Sequence, residues 1–145
     1  MKIKLFFLIL WLTLPPRAMA QTTAEELGQL WISAIKSKNG ETIRNAIHPL
    51  CPAGSVPQKL IRKMLSGKIP DNVTVVTQPI ASPEVYKQTY AVMPEFQLLL
   101  NYVSNDEDTK KIGKGKSQPV SKYNGKWYFA NCPKTRKQMW RSIHQ

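Results

Sequence analysis

After Pro70 the spacing of apolar residues changes from near four to two, so the chain must place helices before strands. Upstream, Thr23-Ala24-Glu25-Glu26 has the pattern of a capping box, in which hydroxyl and carboxylate each satisfy a free N–H at a helix start. Leu27, Leu30, Trp31, Ala34 and Ile35 then mark one stripe of an amphipathic helix, stopped at Ser37-Lys38-Asn39-Gly40. A second helix is expected over 41–47 with Ile43, Ala46 and Ile47 inward, ended by Pro49. Leu50 to Gly54 reads as a turn. Ser55-Val56-Pro57-Gln58 reads as another capping box, opening a third helix that carries Leu60, Ile61, Met64 and Leu65 on one side and stops at Gly67.

Downstream, Val73 to Ile80 is rich in Val and Thr and predicts a strand. Val85 to Met93 reads as a second strand, with Tyr86, Gln88 and Tyr90 on one face. Phe96, Leu98, Leu100 and Tyr102 alternate along a third, and residues 110–123 form an irregular fourth, loosened by Gly113, Gly115 and Pro119. Asn124-Gly125 signals a two-residue type I′ hairpin that pairs Val120 with Phe129 and Lys122 with Trp127. The class is therefore α+β: N-terminal helices packed on an antiparallel sheet.

The first twenty residues fall outside that pattern. Lys2 and Lys4 precede an apolar run from Leu5 to Leu14, Pro15-Pro16 breaks it, and Ala18-Met19-Ala20 is a small-x-small cleavage site ahead of Gln21. That order predicts a secretory signal peptide. The run is about half the roughly 20 residues a bilayer requires, so no membrane span is expected after cleavage. The expected organisation is a leader over 1–20, a single domain over 21–133 and a basic tail over 134–145. Localisation is expected to be periplasmic or secreted.

Export gives the two cysteines their meaning. Cys51 and Cys132 lack C-x-x-C spacing, and in an oxidising compartment they are expected to form one disulfide. Two cysteines and two scattered histidines offer too few ligands for zinc, so no metal and no cofactor is expected. The formal charge is +12, and loss of Lys2, Lys4 and Arg17 lowers it by three. Such a balance favours anionic partners: nucleic acid, the anionic lipid headgroups of a membrane or envelope surface, acidic glycans, or an acidic protein. Export makes nucleic acid the least available of them. Lys110, Lys111, Lys114, Lys116, Lys122 and Lys126 fall in a stretch without an acid, followed by Lys134, Arg136, Lys137 and Arg141. Together with Trp140 they form the candidate contact face. In the tail, Met139, Trp140 and Ile143 fall on one side of a short helix, a composition suited to an anionic interface.

Several segments resemble the nuclear transport factor 2-like superfamily, the cystatin-like α+β cones. They are Leu27 to Ile35, the break at Asn39-Gly40, the helix leading to His48-Pro49, and Asn124-Gly125-Lys126-Trp127-Tyr128-Phe129. The resemblance implies a strongly curved sheet closed by helices into a cone with a pocket, here in a small exported member. Many relatives carry Gly-Asp at the first helix break, where this chain has Asn39-Gly40. Tyr86, Tyr90 and Tyr102 are the candidates to line such a pocket.

Enzymes on this scaffold need an inward carboxylate base. The expected strands supply almost none: Glu84 and Glu95 adjoin prolines, and Asp71 and residues 106–108 belong to turns. His48 reads as a capping or packing residue at a helix end, and His144 lies in the tail. Gly113-Lys114-Gly115-Lys116-Ser117 lacks the first glycine of a phosphate loop, because Lys110 occupies that position. Asn72-Val73-Thr74 matches a glycosylation acceptor. No catalytic residue is assigned. The expectation is an exported, non-catalytic binding or accessory protein; the alternatives are a small-molecule enzyme using a cone pocket, or an inhibitor or immunity-type protein.

Overall fold

The computed structural model describes residues 21–102 and 115–144. Helix α1 (Ala24–Ser37) opens with the expected capping box: the Glu26 N–H donates to Thr23 Oγ1 at 3.1 Å, and the Glu26 carboxylate accepts from the Thr23 N–H at 3.2 Å. It ends at Lys38, whose φ of 55° lies in the left-handed region. Leu27, Trp31, Ala34 and Ile35 are buried as the stripe requires, and Ile32 joins them.

Helix α2 (Gly40–Asn45) is shorter than expected. The Asn39 side chain caps it, accepting from the N–H groups of Glu41 and Thr42. Asn39 therefore starts the second helix as well as ending the first. Ile47 leaves the helix to bridge Phe129. Helix α3 (Gln58–Leu65) has Pro57 at its N-cap and no side-chain cap, so the capping box read at Ser55 does not form. The Ser55 N–H is instead held in the preceding turn by the Pro52 carbonyl at 3.0 Å.

Strand β1 (Thr74–Pro79) follows. The next segment corrects the sequence reading: Val85 to Met93 does not form a strand. Residues Pro83–Thr89 form helix α4, with Tyr90 as its C-cap. Strands β2 (Phe96–Asn101), β3 (Lys116–Tyr123) and β4 (Lys126–Phe129) complete an antiparallel meander in the order β1-β2-β3-β4. Asn124 and Gly125 both have positive φ, 48° and 74°, as a type I′ turn demands. The expected pairs Val120 with Phe129 and Lys122 with Trp127 are present. Helix α5 (Arg136–Ile143) ends the described chain.

One core joins the helices to the sheet. Leu27, Trp31, Ile35, Ile43, Ile61 and Met64 meet Leu98, Leu100, Val120 and Phe129. Fully burying side chains of this size contributes about 1.5–3 kcal/mol each. Trp31 is fixed twice, by edge-on packing against Phe129 at 5.6 Å and by its Nε1–H donating to the Met64 carbonyl at 3.0 Å. A smaller cluster of Val92, Ala130 and Cys132 lies around the Cys51–Cys132 disulfide, which forms as expected. The free side of β4 is covered rather than exposed. Its Trp127 N–H donates to the Gln21 carbonyl at 2.7 Å, and its Phe129 N–H donates to the Ala46 carbonyl at 2.9 Å. Among the described residues, no helix is long and apolar enough to cross a membrane.

Candidate functional site

The approach to α5 is pinned before the helix begins. The Ala91 N–H donates to the Cys132 carbonyl and the Lys134 N–H to the Thr89 carbonyl, both at 2.8 Å, so the strand exit is laced to the end of α4. The disulfide holds Cys132 from the other side. Thr135 then starts α5 with a capping box: its hydroxyl accepts from the Gln138 N–H, and the Gln138 side chain accepts from the Thr135 N–H at 2.9 Å. The segment expected as a separate tail is thus a capped helix packed against α4.

At 100° per residue, Met139, Ile143 and Trp140 occupy an arc of about 100° on α5, as the sequence predicted. All three are exposed, Trp140 at 63% and Ile143 at 78% more fully than Met139 at 38%. The Trp140 ring stacks on His144 with centroids 4.2 Å apart. Arg136 falls within this arc, Lys137 and Arg141 lie beyond its Trp140 side, Lys134 precedes the helix, and among the described residues none of them forms an ion pair with an acid. The chain carries no acid from residue 109 onward. Uncompensated bases beside exposed apolar groups give α5 the means to hold an anionic, partly apolar surface.

The other described bases are divided along the sheet. Lys116 begins β3, while Lys122 and Lys126 flank the hairpin at the strand's far end. Six residues of strand separate them by about 20 Å, more than twice the Debye length of about 8 Å at physiological salt. Lys122 Nζ instead sits 4.9 Å from the Trp127 ring centre. Lys110, Lys111 and Lys114 lie outside the described residues.

Lys116 closes the C-terminus of α3, its Nζ donating to the Lys63 carbonyl at 3.2 Å and to Ser66 Oγ at 3.3 Å. Lys38 reaches the same helix end, donating to the Leu65 and Gly67 carbonyls at 2.8 Å. Two ammonium groups thus answer carbonyls that the helix leaves free. Partial burial, then the charges of Lys38 and Lys63, push the Lys116 pKa down. Lys38 was not singled out from sequence, because nothing in a helix-break lysine announces a partner 27 residues away.

The three tyrosines fall in two places. Tyr86 and Tyr90 stand one turn apart at α4 with ring centres separated by 5.3 Å, and Tyr102 packs against the main core beyond β2. Burial, then Tyr86, raises the Tyr90 pKa. Tyr86 does border a hollow of about 360 Å³ with Gln78, Ser82 and Gln97. A wider groove of about 930 Å³ runs along the outer side of α1, between Gln29, Leu30 and Ser33 on one wall and Asn45, Lys126 and Tyr128 on the other. Glu26 at its rim has a lowered pKa, owing first to the Thr22 hydroxyl and then to the N–H groups of Thr23 and Thr22.

His48 lies beyond the end of α2, so it caps no helix. It is 3% exposed and packs edge-on against Tyr123 and Tyr128. Its Nδ1 accepts from the Leu50 N–H at 3.1 Å; burial lowers its pKa, against weaker opposing effects of the Lys122 backbone and the Glu95 charge. Its Nδ1 is therefore committed to the backbone of the turn at Leu50. Nearby, Ser121 Oγ donates to Glu95 Oε1 at 2.8 Å. Among the described residues, no three His, Cys, Asp or Glu side chains gather where a metal ion could be held. No family model, no curated protein and no solved structure matches the chain.

Proposed function

We propose that this is an exported, non-catalytic binding or accessory protein that docks on an anionic envelope membrane through α5. The observation that carries this reading is the solvent-facing pair Trp140 and Ile143, set among four bases that have no acidic partner among the described residues. An indole and a branched aliphatic chain suit the boundary between headgroups and acyl chains, while Lys and Arg meet the phosphates. Each base near an anionic leaflet contributes about 1 kcal/mol. The disulfide and the backbone bonds to α4 hold the helix to the domain, so less ordering is left for the moment of contact.

Binding of the mature protein to vesicles of anionic and of neutral phospholipid, across a salt series, tests this. Anionic vesicles should bind, with affinity falling steeply as salt rises. Changing Lys134, Arg136, Lys137 and Arg141 together to Gln should weaken binding by two to three orders of magnitude, from about 1 kcal/mol per base. Trp140→Ala should weaken it while leaving the salt slope in place. Equal binding to both vesicle types, or an undiminished quadruple variant, rejects the reading. Binding to an acidic envelope protein without any binding to lipid transfers the same face to a protein partner.

For the scaffold, we infer a nuclear transport factor 2-like cone. Three helices precede an antiparallel meander that α4 interrupts between β1 and β2, and α1 lies against β1, β2 and β4. An experimental structure with a flat sheet would remove this assignment.

A further inference from the structure

We propose that Gln21 becomes the N-terminus of the working protein and cyclises to pyroglutamate, sealing the edge of the sheet with an uncharged, blocked end. The proposal rests on the export reading, because only cleavage after Ala20 frees the amine of Gln21. Three observations lead to it. Ala18-Met19-Ala20 places the scissile bond directly before a glutamine, the residue type whose side chain can close on its own amine. Gln21 is built into the fold, with its carbonyl accepting from the Trp127 N–H of β4 at 2.7 Å. It is also only 9% exposed.

The carboxylates nearest in sequence are already engaged. Glu26 Oε2 accepts from the Thr22 N–H, the Thr22 hydroxyl and the Thr23 N–H, and Glu25 Oε1 accepts from Gln29 Nε2 at 2.8 Å. A free α-amine titrates near pH 7.7–8.0 even in water, so a reactive neutral fraction exists around neutral pH.

The step needs no co-reactant. The neutral amine nitrogen attacks Cδ of its own carboxamide, the new N–Cδ bond forms, the Cδ–Nε2 bond breaks, and ammonia leaves with a proton from the attacking amine. The product is a five-membered lactam. The residue 21 carbonyl takes no part, so the bond from the Trp127 N–H survives while the terminal charge disappears. The end is then closed to aminopeptidases without altering the cover over β4.

Intact-mass analysis and N-terminal sequencing of exported protein test the proposal. The expected product comprises residues 21–145, one ammonia lighter than the open chain, and gives no sequencing signal. A Gln21→Ala variant exported in parallel should sequence normally and be trimmed by an aminopeptidase that leaves the parent intact. Both proteins should protect the Trp127 amide from hydrogen exchange, which separates blocking from any change in fold. A mature chain whose Gln21 keeps a free amine after prolonged incubation overturns cyclisation and leaves the export reading standing. A product that retains Lys2 and Lys4, or one cut elsewhere, overturns both.

Discussion

His48 shows how one buried side chain can make the stability of this domain depend on pH. Its Nδ1 accepts from the Leu50 N–H, so a proton added there would face a donor and break the turn. Burial pushes the pKa below its ordinary 6.5, while the Lys122 carbonyl and the Glu95 charge pull weakly the other way. The native chain therefore takes up this proton less readily than the unfolded one, whose histidine titrates near 6.5. The stability contributed by neutral His48 is full above that pH, and it is lost as pH falls from there through the lowered native value. Urea unfolding of the parent and of His48→Gln, measured between pH 7.5 and 5, should show the parent losing more stability than the variant across this window. At pH 7.5 the variant should be less stable by about 1–3 kcal/mol, the cost of leaving buried backbone groups unpaired. Parallel pH profiles would show that His48 is not held neutral.

Among the elements, the contact between α1 and β1 depends on an absent side chain. Gly28 faces Val75 so closely that an added Cβ would overlap both Val75 methyl groups. On an exposed helix Gly→Ala is favourable by about 1 kcal/mol. Here overpacking, typically about 1–3 kcal/mol, should reverse the sign and make Gly28→Ala destabilising. In a Val75→Ala background the same change should become neutral or stabilising, and a thermal-denaturation double-mutant cycle reads the coupling directly. Additive effects would show that the two elements do not touch there. The elements differ in how plainly the sequence declared them. The first helix and the last hairpin were legible because several signals agreed: caps, a 3.6 period and Asn124-Gly125. Val85 to Met93 was misread because Tyr86 and Tyr90 are four apart, a spacing that fits one face of a strand and one face of a helix alike. Pro83 in the first turn and the Glu84–Lys87 pair, 3.9 Å apart, are the helix's own signals. The apolar arc of α5 could be read from spacing. The clasp of Lys38 and Lys116 on α3 could not, since it joins residues that only the tertiary fold makes neighbours.

For the whole molecule, the distribution of charge and the disulfide act together. Among the described residues, the bases singled out from sequence divide among the end of α3, the hairpin and α5, and α5 carries its bases together with the exposed Trp140 and Ile143. What keeps α5 on the domain is the stretch from Ala130 to Lys134, tied to Thr89 and Ala91 by backbone bonds and to Cys51 by the disulfide. That crosslink spans 81 residues of sequence and encloses every element from α3 to β4. In the chain-entropy view, closing a loop of this size stabilises by roughly 4–5 kcal/mol, and removing a native disulfide from a small exported domain typically costs about 2–5 kcal/mol. The paired change Cys51→Ala and Cys132→Ala should lower stability by that amount in urea unfolding. Hydrogen exchange locates the consequence: amides of Ala91 and Lys134 should lose protection ahead of those in the β2–β3 ladder, because the small cluster of Val92, Ala130 and Cys132 loses its crosslink while the main core keeps Trp31 and Phe129 packed. Loosening α5 in this way should weaken docking on anionic vesicles, since a mobile helix must be ordered anew on contact. Equal loss of protection across both regions would mean that the disulfide secures the domain as one unit, with no separable role in presenting α5.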